Sequence, residues 1–407
     1  MDIEIRTPSP DELESVVEAA DASWGYHATE EEFEDARTLA ELDRAFVAFD
    51  RGRPVGVAAA MSFDLTLPGG ATVAAGGLSE VGVVPTHRRR GVLTALMAHH
   101  LDDCRDRGEP FSLLVASEGT IYPRFGYGPA TLAMAVEIDR RRAAFAPHAP
   151  DPPGGLRLLG PEETALLVPE AYDRYRRAQP GEVSRSEAYW QFWLRDRERW
   201  RDGASARFVV AHEAPDGDIG GYVSYRMRAA WPQGLPAFNL DVEELVAADP
   251  AVRAALWRYV LGVDLVGTIS VWNVPLDEPL RWLLADPRAL RVTAVRDLLW
   301  ANLTDIGAAL AARAYAASDR LTIEVSDEER RYVLEGGPDG ASCRPAATTT
   351  PPDLSLKAAD LAIAYLGATT FSTLARAGRV VEYAARALAR ADALFSCDPP
   401  AHSVTDF

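Results

Sequence analysis

One uninterrupted stretch limits what this chain can fold into. Leu78-Ser79-Glu80-Val81-Gly82-Val83-Val84 has the make-up of a strand, and Pro85 ends it because proline has no N–H to give a ladder. Thr86-His87-Arg88-Arg89-Arg90-Gly91 then forms a basic turn that opens into a helix over 90–107. Val92, Leu93, Leu96, Met97, Leu101 and Cys104 recur on one face of that helix, and Gly108 stops it. A strand that ends this way presents successive backbone N–H groups and the positive end of a helix dipole to an anion. The arginines add charge-assisted contacts suited to phosphate, and Gly91 lets a diphosphate approach the backbone. The Gly-Lys-Ser/Thr ending of a P-loop is absent, as is a Gly-x-Gly-x-x-Gly dinucleotide turn. An arginine-rich solvent turn that caps an ordinary helix is the plain alternative.

Strands and helices alternate around this element. A strand over 3–6 precedes a helix that Asp11 is placed to cap, and a second helix covers 30–42. Strands are expected over 44–50, 54–67, 111–116 and 132–138, which makes a mixed α/β unit over 1–147. His148-Ala149-Pro150-Asp151-Pro152-Pro153-Gly154-Gly155 is a linker by composition. The next unit, 155–288, opens with a strand and continues through helical segments over 162–199. A hairpin around Asp216-Gly217-Asp218, a strand over 238–245 and a helix over 250–261 then repeat the coarse order of the first unit. The last unit, 291–407, should carry a helix over 297–315, short strands over 321–325 and 331–335, and alanine-rich helices over 355–366 and 380–395. Its proline-containing tail, from Asp398 to Phe407, is not a helix.

Composition narrows the function. The chain has 407 residues, 48% of them hydrophobic and 25% charged, which describes a folded protein of several domains. Sixty acidic residues stand against 42 basic ones, and the formal charge of -18 disfavours a nucleic-acid surface or an anionic membrane as partner. Arginine carries the positive charge, since Lys357 is the sole lysine. Cys104, Cys343 and Cys397 are too few and too scattered for a disulfide framework or a metal ladder, so free thiols and no metal are expected. The acidic, polar start is no signal peptide, no apolar run is long enough to span a bilayer, and the cytoplasm is the default location.

A second stretch carries chemistry. Ala116-Ser117-Glu118-Gly119-Thr120-Ile121-Tyr122-Pro123-Arg124-Phe125-Gly126-Tyr127-Gly128-Pro129-Ala130 follows the buried 111–116 strand, and its glycines and prolines fix a compact path around two tyrosines. A tyrosine held beside a thioester can return a proton to the leaving thiolate. Either tyrosine also suits a plain amphipathic core position.

Together the two stretches resemble the GCN5-related N-acetyltransferases. Arg88-Arg89-Arg90-Gly91-Val92-Leu93 matches their Gln/Arg-x-x-Gly-x-Gly/Ala signature except at Leu93. Val84 to Leu93, with Ala116 to Gly119 and Ile121 to Ala130, is similar to the Eis-like (enhanced intracellular survival) acetyltransferases of actinobacteria. The resemblance implies tandem acetyltransferase folds followed by a sterol-carrier-protein-like α+β domain. It implies acetyl-CoA as cosubstrate, with Val81, Gly82 and Val83 along the pantetheine and Arg89, Arg90, Gly91, Val92, Leu93 and Thr94 around the diphosphate. Ser117 and Glu118 would line the acyl end, and Tyr122 would be the general acid. The terminal carboxylate of Phe407 would enter the active site as base or amine anchor, and its low intrinsic pKa, about 3.5, favours anchoring or relay through water.

The acceptor implied is a cationic small-molecule amine, an aminoglycoside or related polyamine. Glu30 and its acidic neighbours, with Trp24, Tyr26 and Phe33, are expected to wall its pocket, although a solvated acidic helix with core aromatics fits the same residues. A protein lysine or peptide amine is the competing acceptor. A nonenzymatic lipid carrier or scaffold is the reading from another class. A homohexamer, a trimer of dimers, is a further implication of the resemblance.

Overall fold

The computed structural model describes residues 3–407; Met1 and Asp2, with which the first expected unit and the polar opening segment begin, lie outside the described residues. The chain enters through β1 (Ile3–Arg6), α1 (Leu13–Trp24), α2 (Glu30–Leu39) and β2 (Ala45–Asp50). The long strands β3 (Arg53–Thr66) and β4 (Thr72–Val83) form a hairpin, followed by α3 (Val92–Asp106), β5 (Phe111–Val115) and β6 (Gly128–Pro129). Asp11 does not cap α1. It lies inside a 3-10 turn, Pro10–Glu12, that Ser9 and Glu12 close reciprocally, Ser9 N donating to Glu12 Oε2 at 2.9 Å.

The next elements are β7 (Leu132–Asp139), β8 (Gly155–Leu158), α4 (Pro161–Ala178), α5 (Glu187–Arg195), β9 (Phe208–Glu213), β10 (Ile219–Arg228), β11 (Phe238–Ala247) and α6 (Pro250–Gly262). After them come β12 (Val266–Pro275), α7 (Leu280–Leu283), β13 (Leu290–Asp297) and β14 (Leu299–Leu303). Two seven-stranded sheets result, ordered β1-β2-β3-β4-β5-β14-β6 and β13-β7-β12-β11-β10-β9-β8. The expected repeat of element order is real: α3 joins the parallel pair β4/β5, and α6 joins the parallel pair β11/β12. The sheets also exchange strands. Leu132–Asp139 leaves the first sheet to pair with β12 and β13, and Leu299–Leu303 returns to fill the gap between β5 and β6.

That return corrects the helix expected over 297–315. The segment is the end of β13, then β14, then α8 (Ile306–Ala312). Leu299, Trp300 and Ala301 are buried with no polar face, and such a run has the same hydrophobic pattern whether strand or helix. The last domain adds β15 (Asp319–Val325), β16 (Arg330–Gly337), β17 (Gly340–Ala346), β18 (Leu354–Leu356), α9 (Ala358–Tyr365), α10 (Phe371–Arg376), β19 (Val380–Glu382) and α11 (Ala387–Phe395). Its sheet runs β17-β16-β15-β18-β19. The helix expected over 380–395 is a strand and a shorter helix, separated where Arg386 takes a left-handed φ of 64°. The three cysteines are free, with Cys104 buried.

A single apolar core joins the first and last domains. Phe63, Leu65, Leu113 and Leu299 of the first sheet pack in one cluster with Leu321, Ile363, Tyr365 and Phe395. The opposite face of that sheet is covered by α3 through Val92, Leu96, Met97 and Leu101. The first sheet is thus held from both sides, while the end of β4, Val81 to Val83, stays half-buried. Among the described residues, no helix is long and apolar enough to cross a membrane.

Candidate active site

Strand β4 parts from β5 midway. Their pairing covers Ala75, Gly76 and Gly77 against Phe111, Ser112 and Leu113, and goes no further. Beyond it, the β3–β4 register slips between Val57/Gly82 and Ala59/Ser79, so Glu80 and Val81 together oppose Ala58. Glu80 takes φ of 34°, as a bulged residue does. The bulge turns β4 away from β5 and frees the edge at Val81, Gly82 and Val83.

The basic turn follows at once. Arg89 and Gly91 both have positive φ, 61° and 82°, and Gly91 caps α3. The first intrahelical bond is from Ala95 N to Gly91 O, which leaves the N–H groups of Val92, Leu93 and Thr94 pointing out of the helix start. Arg88 is a strut: its Nε donates to Val83 O at 3.1 Å and its Nη2 to Ser23 O at 2.6 Å, tying the turn to the end of α1. A cavity of about 510 Å³ opens here. Val81, Gly82, Val83, Arg89, Gly91, Val92, Leu93, Thr94, Ser117, Glu118 and Tyr122 all line it, together with Trp24. Arg90 stands exposed in the same turn, outside that lining.

Tyr122 begins a 3-10 turn, Tyr122–Phe125, after β5. It is 5% exposed, and its ring meets Tyr127 edge-on with centroids 6.0 Å apart. Burial raises its pKa, the hydrogen bond with Ser117 opposes this, and Glu118 adds to it, so the phenol is protonated at neutral pH. Behind it Tyr127 Oη, Ser112 Oγ and His100 Nε2 form a buried chain with links of 2.6 Å. Burial holds His100 neutral, with its pKa lowered to about 3, and pushes the Cys104 thiol up to about 12. The thiol is therefore no nucleophile.

A second cavity, about 350 Å³, lies where α1, α2 and β4 meet. Apolar residues such as Val16, Met61 and Phe192 line it beside five carboxylates: Asp21, Glu32, Asp35, Glu41 and Glu80. Burial and then Glu32 raise the pKa of Asp21, whose Oδ2 is buried without a hydrogen-bond partner. Glu80 is raised by desolvation, then by Asp21 and Glu32. Of the residues expected to wall an acceptor pocket, Tyr26, Glu30 and Phe33 line neither cavity, and Trp24 lines the first. Glu30 turns outward to Arg37 at 3.1 Å. The acidic face of α2 instead docks on the second domain, where Arg195 and Arg197 meet Asp35 and Arg199 meets Glu32 at 2.7 Å.

The C-terminal tail is an ordered strap. Ala401 to Thr405 are buried between the first and second domains, and Tyr189 Oη donates to Asp406 O at 2.8 Å. The Phe407 ring lies 4.6 Å from that of Phe63. Both rings sit over Gly77, where any Cβ would overlap Phe63 and come to 3.0 Å from Phe407. The last residue thus reaches the point at which β4 and β5 separate. Among the described residues, no cluster of His, Cys, Asp or Glu is arranged to hold a metal ion.

A model of the acetyltransferase (GNAT) domain matches residues 4–130, and a second one matches 181–303. A sterol carrier protein domain model matches 306–403. The chain is 39% identical over 379 residues to an uncharacterized N-acetyltransferase of Streptomyces coelicolor, with 90% of each covered. It is 36% identical over 419 aligned residues to the N-acetyltransferase Eis of Mycobacterium tuberculosis, with 100% of both covered. The chain belongs to the Eis-like N-acetyltransferases. The crystal structure of Eis1 from Mycobacterium abscessus, 35% identical, superposes with a TM-score of 0.86 over 99% of this chain and 100% of that one. A GCN5-related N-acetyltransferase from Anabaena variabilis shares the fold at 18% identity, with a TM-score of 0.84. This Eis-like chain is an acetyl-CoA-dependent N-acetyltransferase, built of tandem acetyltransferase domains and a sterol-carrier-like α+β domain.

Sequence reasoning missed Asp21, Glu41 and Glu80, and it read Arg88 as a phosphate contact without its role as a strut. Arg88 stood inside the quoted motif, and its strut role had no local signal because Ser23 is 65 positions away. Asp21 and Glu80 come together only when α1 packs beside β4. The signal present was weak: Glu80 is a charged residue in an otherwise apolar strand.

Proposed function

We propose that this enzyme transfers acetyl from acetyl-CoA directly to primary amines of aminoglycosides or related polyamines. One observation carries the reading: the two cavities share a single strand. Val81 to Val83 line a basic cavity at a helix start, and the preceding Ser79 and Glu80 line a cavity with five carboxylates. The first suits the diphosphate and pantetheine of acetyl-CoA, through N–H groups at the start of α3 and the guanidinium of Arg89. The second suits a cationic amine: Arg199 pairs with Glu32 and Asp35, which leaves Asp21, Glu41 and Glu80 to attract it, and the apolar walls accept its carbon frame.

In this reading the ammonium loses one proton to the Phe407 carboxylate, directly or through water, or is anchored by it while solvent takes the proton. The free amine attacks the thioester carbon. Backbone N–H groups near Val83 stabilise the oxyanion. The C–S bond breaks as Tyr122 gives its phenolic proton to the sulfur, and the second proton of the nitrogen restores Tyr122. The products are the acetamide and the coenzyme A thiol. The setting is cytoplasmic and the assembly a homohexamer, a trimer of dimers.

The test is turnover of acetyl-CoA with a panel comprising an aminoglycoside, a linear polyamine and a lysine peptide. Thiol release would be followed by absorbance and products by mass. Preference for the multiply charged small amines supports the reading, and preference for the peptide replaces it with protein or peptide acetylation. Binding of an apolar ligand with no thiol release from any amine would favour a carrier role.

A further inference from the structure

A buried carboxylate in the second domain gathers the tail just before its end, one residue short of the Tyr189 contact on Asp406. Glu182 is fully buried and accepts five hydrogen bonds. Two come from its own neighbourhood, Tyr172 Oη at 2.9 Å and Val183 N at 3.1 Å. Three come from the tail: Ser403 Oγ at 3.1 Å, Val404 N at 2.6 Å and Thr405 Oγ1 at 2.8 Å. The backbone of the same loop is stitched to β3, Thr66 N donating to Glu182 O at 2.9 Å and Gly181 N to Thr66 O at 2.8 Å. Strand β3 also supplies Phe63, on which Phe407 rests. The contacts form a closed ring from β3 to Glu182, along the tail to Phe407, and back to β3.

We propose that Glu182 is the positioning residue for the Phe407 carboxylate, and that the second acetyltransferase domain serves the first as the anchor of this tail. The inference rests on the reading that the terminal carboxylate works in the active site. Two residues lie beyond the clamp at Thr405, so the carboxylate can move no further than roughly 7 Å from it. Other contacts share the tail: His402 N donates to Pro180 O at 2.9 Å, Asn273 Nδ2 to Ser403 O at 3.0 Å, Arg185 Nε to Thr405 Oγ1 at 3.1 Å and Tyr189 Oη to Asp406 O at 2.8 Å. Glu182 is the group among them that takes three bonds from consecutive residues 403–405, so its loss loosens the stretch that sets where Phe407 ends. A displacement of about 1 Å at the carboxylate is enough to slow the reaction substantially. Only a carboxylate suits the clamp. Glutamine has nearly the same volume, but its single carbonyl cannot accept all five bonds, and its NH₂ would face a donor.

The experiment compares kcat and KM for acetyl transfer to the preferred amine of the panel in four full-length enzymes: wild type, Glu182→Gln, Phe407 deleted, and both changes together. Glu182→Gln should lower kcat about tenfold or more and leave the KM for acetyl-CoA within about threefold. In the Phe407-deleted enzyme the same substitution should change kcat by less than about twofold, because the terminal carboxylate then sits on Asp406, short of the site whether or not Glu182 holds the tail. An equal loss with and without Phe407, or full kcat in Glu182→Gln, overturns the proposal and leaves the tail's role standing. Unchanged kcat on deleting Phe407 overturns the tail's role, and the proposal with it. If Glu182→Gln fails to fold, Thr405→Val removes a donor from the tail side and should reproduce the kcat loss; full kcat there overturns the proposal.

Discussion

Phe407 rests on Phe63, with ring centroids 4.6 Å apart and planes inclined at 47°. A residue of the third domain therefore touches the strand next to β4 in the first, directly over Gly77. Deleting Phe407 moves the chain's end back by one residue, about 3.8 Å. The deletion is expected to lower kcat by about 10²-fold, the usual scale for a lost proton-transfer or anchoring group. Steady-state kinetics should show the KM for acetyl-CoA unchanged, because the tail does not line the cofactor cavity.

The turn proposed to hold the diphosphate depends on Gly91. Its φ of 82° is unfavourable for any residue with a side chain, although a Cβ there would meet no neighbour. Gly91→Ala should therefore cost about 1–2 kcal/mol from backbone strain. It also places a methyl group where the diphosphate approaches. Calorimetric titration with coenzyme A is expected to show affinity reduced about tenfold or more.

Asp21 should trade stability for binding. Its carboxyl holds a proton more tightly when folded, because burial and Glu32 raise its pKa. Such a group stabilises fully below its unfolded value, near pH 4, and that contribution is lost as pH rises through the folded value. Asp21→Asn is expected to raise Tm at neutral pH by roughly 1–3 °C, with no gain below about pH 4. It should raise the KM for a polyamine about three- to tenfold, since one charge leaves the acceptor cavity. Thermal scans from pH 4 to 8 with amine saturation curves check both signs.

Much of this was legible in the chain. The strand–turn–helix was, because β4, Arg88 to Gly91 and α3 are contiguous and each carries a local signal: Pro85 as stop, Gly91 as left-handed cap, a one-sided apolar stripe after it. The compact turn at Tyr122 was, through the glycines and prolines that fix its loop. The acceptor cavity was not. Glu30 and Phe33 had a plausible local pattern, but α2 turns its acids toward Arg195, Arg197 and Arg199 of the other domain. No sequence period shows that docking. The strand exchange was hidden for the same reason, since Leu299–Leu303 lies far along the chain from the β5 edge it completes.

Arg44 and Glu109 illustrate what holds the catalytic sheet beneath the site. The pair is bidentate, at 2.8 and 2.6 Å, and Arg44 is fully buried against Gly76. Removing Glu109 takes away both short bonds and leaves the buried guanidinium only Asp103 Oδ2, 3.4 Å away, as carboxylate partner. Glu109→Gln is expected to lower unfolding stability by about 3–5 kcal/mol. Denaturant titration measures this loss.

The most direct test of the account concerns Tyr122. Single-turnover acetyl transfer from acetyl-CoA to a polyamine or aminoglycoside should be compared between wild type and Tyr122→Phe. The account predicts a chemical step slowed by about 10²- to 10⁴-fold in the variant, with coenzyme A affinity within about twofold of wild type. A Tyr122→Phe enzyme that transfers acetyl at the full rate would contradict it.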